Sequence, residues 1–274
     1  MSPEQYCRQK VAAYGSDLHY SLLCLGPEQQ RAVTALHALH AGLEDTVGEA
    51  RDPGIARTRL AWWRDELTAA LNGQPHHPVS QALAPGLRRW QLPRDQLIGL
   101  IDGAQLDLDY NRYPDFATLE VYCQRNLGAL CKLSSVVLED LHPGAGAFSQ
   151  TLGTALQLAR VIRNAGVDAR RNRIYFPLDE LQRFRLDAED IVALRQDERF
   201  EQLMVYQIQR ARSFLLRADG MLDRDERKAQ RAHLVMAALQ RTLLDEIERL
   251  RGHTLTQRVA LTPVRKLWIA WKTR

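Results

Sequence analysis

Cysteine is scarce in this chain and its spacing is uninformative: the four residues, Cys7, Cys24, Cys123 and Cys131, form no Cys-x-x-Cys pair. That argues against a disulfide scaffold or a thiolate zinc site, and reduced, buried thiols in a cytoplasmic chain are expected. Long apolar runs are also missing. No stretch of about 18 apolar residues exists to span a bilayer, and the opening MSPEQYCRQK lacks the apolar core of a secretory signal. Strand-like alternation is absent, as are internal repeats and low-complexity segments. The net charge is only +4, with cations spread along amphipathic segments and no basic block interleaved with aromatics, so no nucleic-acid partner is expected.

What remains is ordinary for a globular protein. Hydrophobic residues make up 45% and charged residues 26% of 274, enough to bury the core of one domain over residues 1–274. Nearly every segment reads as helix. Ser2 and Pro3 form a cap and first-turn pair for residues 3–14, and residues 28–50, 93–113 and 115–138 follow. Met236, Leu239, Leu243 and Ile247 repeat at core spacing in a later helix. Trp62 and Trp63 are expected in the core. His76 and His77 belong to a helix-start loop, because adjacent histidines before a proline chelate poorly. Asp102, Asp107 and Asp109, near a helix end, are expected to be solvated, and 141–148 (LHPGAGAF) is a Gly/Pro break.

One stretch organises the rest: 153–181, GTALQLARVIRNAGVDARRNRIYFPLDEL. At 100° per residue, Gln157, Arg160, Asn164 and Asp168 share one narrow face, with Leu158, Ile162 and Ala165 on another. Arg170, Arg171, Arg173 and Tyr175 follow before Pro177. A carboxylate-bearing face running into clustered arginines suits an anionic ligand.

This segment resembles the second signature of the squalene and phytoene synthases, a helix with Asp-x-x-x-Asp followed by Ala-Arg-Arg-x-Arg-Ile-Tyr-x-Pro. Residues 35–49, ALHALHAGLEDTVGE, resemble the first signature, and the tail LTPVRKLWIAW resembles that of the bacterial presqualene diphosphate synthases of hopanoid pathways. The resemblance runs from Pro3 to Trp271. It implies an all-α, single-domain isoprenoid synthase-type bundle around a central cavity, with magnesium and a prenyl diphosphate such as farnesyl diphosphate as ligands. Carried onto this chain, it implies Tyr20 and Tyr175 as catalytic groups and Glu44 and Asp168 as metal ligands. Ser16, His37, Gln157, Arg160, Asn164, Arg171 and Arg173 become substrate-binding groups, and Asp107 supports them from behind.

The departures matter as much. The family pattern has Asp where this chain has Gly48, Asn164 and Glu44, Asn at Arg160, Arg at Ala41, Tyr at His37 and Ser at Asp17. Residues four apart on a helix can chelate one ion, and Glu44 has no acidic partner at 48. The Asp45 and Glu49 pair points about 100° away. A carboxylate at Asp17 would repel a diphosphate. Head-to-head condensation begins by ionising an allylic carbon–oxygen bond, and hard cations stabilise the departing diphosphate. A reduced magnesium set is therefore expected. The function expected is a prenyl-diphosphate-binding or non-catalytic descendant with weak or no synthase activity. The alternative is a prenyltransferase condensing two farnesyl diphosphates to presqualene diphosphate or squalene through an altered metal site. A non-catalytic chain would have a protein partner. Trp268 and Trp271, with Arg265, Lys266, Lys272 and Arg274, form either a membrane-resting face at the inner leaflet or a packed terminal helix with a basic rim.

Overall fold

The structure, a computed structural model, describes residues 1–50, 52–139 and 144–273, the side chain of Glu49 excepted. Fifteen α-helices are seen there. The first four are α1 (Pro3–Val11), α2 (Asp17–Leu22), α3 (Pro27–Glu49) and α4 (Pro53–Leu71). Next come α5 (Pro78–Arg89), α6 (Arg94–Asp109), α7 (Phe116–Cys123), α8 (Ala129–Val137) and α9 (Ala145–Arg170), with a π-helical turn at Gln124–Gly128 joining α7 to α8. The chain ends with α10 (Leu178–Arg183), α11 (Ala188–Val192), α12 (Glu198–Asp219), α13 (Arg224–Ala229), α14 (Arg231–Arg249) and α15 (Pro263–Lys272). Among the described residues the only β pairing is an isolated bridge between Arg112 and Ile174. The all-α architecture expected from the sequence is what the chain adopts.

Local chemistry sets the helix starts. Ser2 caps α1 in a reciprocal box with Gln5, and Asp223 does the same for α13 with Glu226. Asp52, Thr262 and the ring of His77 accept amide hydrogens at the starts of α4, α15 and α5, each followed by proline. His77 thus takes the helix-start place expected of it. Side-chain oxygens and rings at these positions satisfy amides that the helix leaves without partners.

Two apolar cores flank the centre. One gathers residues of α9, α12 and α14, including Leu158, Ile162, Phe200 and Leu243. The other gathers α1, α3, α5 and α6, with Leu36, Leu39, Leu83 and Leu97. The π turn is gripped between α6 and α9 at nearly backbone-to-backbone contact. A Cβ on Gly103 would lie 2.3 Å from the Arg125 carbonyl oxygen, and one on Gly153 would lie 2.4 Å from Gly128 Cα. Gly128 therefore serves helix packing.

Several expectations need correcting. The first helix stops at Val11, and the helix over 93–113 ends at Asp109. Trp63 is buried, its indole N–H donating to Thr46 Oγ1 at 3.2 Å, whereas Trp62 stands about half exposed. Cys7, Cys123 and Cys131 are buried, but Cys24 is only partly so. Asp102 and Asp109 are exposed and bonded to Arg64 and Arg57, while Asp107 is buried. The helix period put three carboxylates near one end; only packing against α7 and the 173–175 segment decided which turned inward. On α15, Ile269 and Ala270 are buried while Val264, Trp268 and Trp271 are exposed. Leu141, His142 and Pro143 of the Gly/Pro break lie outside the described residues.

Candidate functional site: a guanidinium-braced cavity

Between the cores lies a cavity of about 390 Å³, near the lower end of the roughly 300–1,000 Å³ typical of small-molecule sites. Leu127, Leu130, Leu156, Met236, Val259 and Leu261 give it apolar walls. Arg160, Arg163, Arg258 and Lys266 supply four cations, and Asp17 is the one carboxylate on its wall among the described residues. Of the residues singled out from sequence, Ser16, His37 and Arg160 line it. The others sit around it in three polar groups.

The first group joins α3 to α9. Arg160 Nη1 donates to Glu44 Oε1 across 116 residues of sequence. His40, one turn earlier on α3, has Nδ1 3.8 Å from the same carboxylate and Nε2 2.7 Å from Asn126 Oδ1 on the π turn. Burial and the nearby Arg160 push the His40 pKa down to about 3, so the ring is neutral. Further along, a Cβ on Gly48 would lie 3.2 Å from Arg171 Nη1. Where the family pattern has a carboxylate at 48, this chain has a bare backbone with a guanidinium beside it.

The second group is centred on Asp107. Its carboxylate accepts from Tyr175 Oη at 2.9 Å and Tyr122 Oη at 3.1 Å, with Arg173 Nη1 3.6 Å away. Gln157, fully buried, donates Nε2–H to Tyr122 Oη at 3.3 Å. Burial raises the Asp107 pKa, while Arg173 and the two phenols oppose the rise. Asp168 lies in the field of Arg160, Arg171 and Arg173, yet burial lifts its carboxyl to about 6.

The third group closes one side of the cavity. Asp17 accepts from Lys266 Nζ at 2.7 Å and Gln240 Nε2 at 3.1 Å, and Arg163 Nη1 stands 3.6 Å off. Lys266 also donates to the Gly15 carbonyl at 2.8 Å. The repulsion expected of Asp17 is thus offset by two cations. Ser16 Oγ accepts from the His19 amide as the cap of α2. Asn164 accepts from Arg163 Nε at 3.3 Å. Tyr20 is buried against Tyr14 and His19 rather than on the cavity wall. Arg163, Gln240 and Arg258 belong to the site although sequence reasoning assigned none of them to it, and Asp17, expected there as a repulsive carboxylate, is neutralised. Basic residues on α9 and in the tail were visible, but not their convergence.

Magnesium, which the resemblance implies, needs several oxygen donors gathered at about 2.0–2.1 Å. Among the described residues no group of three or more His, Cys, Asp or Glu side chains is placed to hold a metal ion. Glu44 is already bonded to the Arg160 guanidinium, and Asp168 shares its surroundings with that group and two more, Arg171 and Arg173. This donor set does not fit a cluster of magnesium ions.

Asp168 gives a direct pH test. Its folded pKa of about 6 exceeds the ordinary 3.8, so between those values the folded chain binds more protons than the unfolded chain. This group therefore lowers stability as pH rises from about 4 to 6, by up to roughly 3 kcal/mol. Asp168→Asn is expected to match the native chain in urea near pH 4 and to exceed it by up to that amount at pH 7. A stability difference constant with pH would refute the assignment.

The squalene/phytoene synthase family model matches residues 11–265. The chain is similar to a phytoene synthase of Arthrospira platensis, 29% identical over 96% of this chain and 89% of that one. It is also similar to chloroplastic phytoene synthase 2 of Solanum lycopersicum, 28% identical over 95% and 86%. In structure it resembles a ligand-bound dehydrosqualene synthase (TM-score 0.84, 17% identity, 99% of this chain and 95% of that one). A second fold neighbour is the squalene synthase HpnC of Alicyclobacillus acidocaldarius (TM-score 0.77, 20% identity, 91% and 94%). With a family match over nearly its whole length and a helical bundle of the same fold as these synthases, this chain belongs to the squalene/phytoene synthase family.

Proposed function

We propose that this protein holds a prenyl diphosphate such as farnesyl diphosphate in the central cavity without magnesium, and turns it over weakly or not at all. The observation that carries this reading is the Arg160 to Glu44 pair. It bridges α3 and α9 with a guanidinium, where the family pattern would put oxygen donors for a metal on both helices. A guanidinium can neutralise a phosphate bidentately, so binding survives the exchange. Ionisation is a different demand. It needs charge stabilisation that grows as the carbon–oxygen bond breaks, and Arg160 is already committed to a carboxylate in the ground state.

In this reading Arg163, Arg258 and Lys266 face the diphosphate, with Arg160 beyond them. The apolar walls take the chain, and the modest volume suits one chain better than two. Turnover remains the second reading, favoured by the Asp107, Tyr122, Tyr175 and Arg173 network, which keeps a hydrogen-bonded tyrosine pair beside the arginine-rich segment.

Calorimetry with farnesyl diphosphate, in chelator and then in millimolar magnesium, separates the two, together with an assay for released diphosphate. Affinities within about twofold of each other and no diphosphate release are expected. Binding that needs magnesium, or magnesium-dependent release of diphosphate, would replace this reading with the synthase.

A further inference from the structure

The terminal helix α15 faces the opposite way from an ordinary surface helix, which turns its charged side to water and its apolar side to the core. Wound at the helical period, Val264, Leu267, Trp268 and Trp271 fall within one arc of about 100°. That arc is the outer one: the four side chains are 79%, 51%, 55% and 66% exposed. Trp268 and Trp271 are the two most exposed of the chain's five tryptophans. The inner side holds Ile269, Ala270 and a lysine, packed towards α14 and α2. That lysine, Lys266, is drawn in by Asp17 and the Gly15 carbonyl.

Charge is as unevenly placed as polarity. Residues 249–274 carry seven Lys and Arg and no Asp or Glu, although the whole chain is only +4. Arg265 is held by Glu246 of α14, but the last turn differs. There Lys272 Nζ lies 4.8 Å over the Trp268 ring, and Arg231 of α14 donates to the Thr273 carbonyl at 3.2 Å. Neither cation meets a carboxylate among the described residues.

A second copy of this chain fits such a face poorly. It would set the same cations against each other, and four part-exposed side chains fall short of the ~800 Å² per partner of a stable protein interface. An anionic bilayer surface suits both features. Tryptophan settles at headgroup depth, and each Lys or Arg near the surface adds attraction to acidic headgroups. A helix with apolar and basic faces lies in that plane. With ten residues, α15 is too short to cross.

We propose that α15 rests its Val264–Trp271 stripe in the interface of a bilayer containing anionic lipid, with Lys272 and Arg231 against the headgroups. Lys266, on the inner side of the same helix, lines the cavity, so docking sets the cavity's rim beside the membrane. The contact does not depend on what the cavity holds.

Flotation of the full-length protein with vesicles tests it, using phosphatidylcholine alone or with about 30% phosphatidylglycerol. Partition onto the acidic vesicles should exceed that onto neutral ones by at least about tenfold, and roughly half-molar salt should remove most of the difference. Trp268→Ser combined with Trp271→Ser should lower partition about a hundredfold. The melting temperature of that variant should match the native one, because both side chains are exposed. Brominated phosphatidylcholine in acidic vesicles should quench the native tryptophan fluorescence and leave that of the double variant unchanged. No partition onto acidic vesicles, partition indifferent to lipid charge, or partition that survives the double substitution would overturn the proposal. So would a dimer in sedimentation equilibrium that the double variant dissociates, which would assign the stripe to a second copy.

Discussion

A triple variant, Arg160→Asn with Gly48→Asp and Asn164→Asp, should acquire a magnesium response that, on the reading proposed above, the native chain does not have. With magnesium and farnesyl diphosphate at about a hundred times their dissociation constants, ligand linkage adds roughly 2.7 kcal/mol. For a chain of this size that raises the melting temperature by about 5–10 °C. The native protein should show the same farnesyl diphosphate shift with or without magnesium. The substitutions suit the structure. Removing Arg160 frees Glu44, and the new carboxylate at 48 meets the flexible tip of Arg171, which can swing aside. The introduced carboxylates at positions 48 and 164 would then pair with Glu44 and Asp168 respectively, giving acidic pairs four residues apart on facing helices. A folded triple variant blind to magnesium would mean that lost ligands do not explain the native site.

Loss of the Asp107 carboxylate should be the most damaging single change near the site. Asp107→Ala strands Arg173 and two buried phenols at once. Removing one partner of a buried pair typically costs about 3–5 kcal/mol, and urea unfolding of the variant should register a loss of that order. Asp107→Asn keeps one acceptor oxygen and should lose about half as much. An alanine variant within about 1 kcal/mol of native would show that the network does not hold the 173–175 segment in place.

Much of this was readable in advance, for definable reasons. Helix starts were legible because Ser2, Pro3 and His77 act through bonds no more than three residues long. The face bearing Gln157, Arg160, Asn164 and Asp168 was legible because helical period alone groups it. The partners were not. Arg160 finds Glu44 across 116 residues and Gln240 finds Asp17 across 223, and no local rule encodes either. The fate of Asp107 shows the same limit: its neighbours Asp102 and Asp109 have the same chemistry and nearly the same position in the sequence, yet both stay outside. Asp17 read as a repulsive intrusion until the tail brought Lys266 against it.

The Arg160 to Glu44 bridge has a bearing on traffic through the cavity. A metal ion is a mobile counter-charge: it arrives with an anion, leaves with it, and its supply can rise or fall with conditions in the cell. A guanidinium is tethered to the chain. It can greet an anion but cannot escort one out, and it cannot be withheld by chelation. On the reading proposed above, the exchange keeps the counter-charge in place at all times, so the protein would be better built to retain an anionic guest than to hand one on.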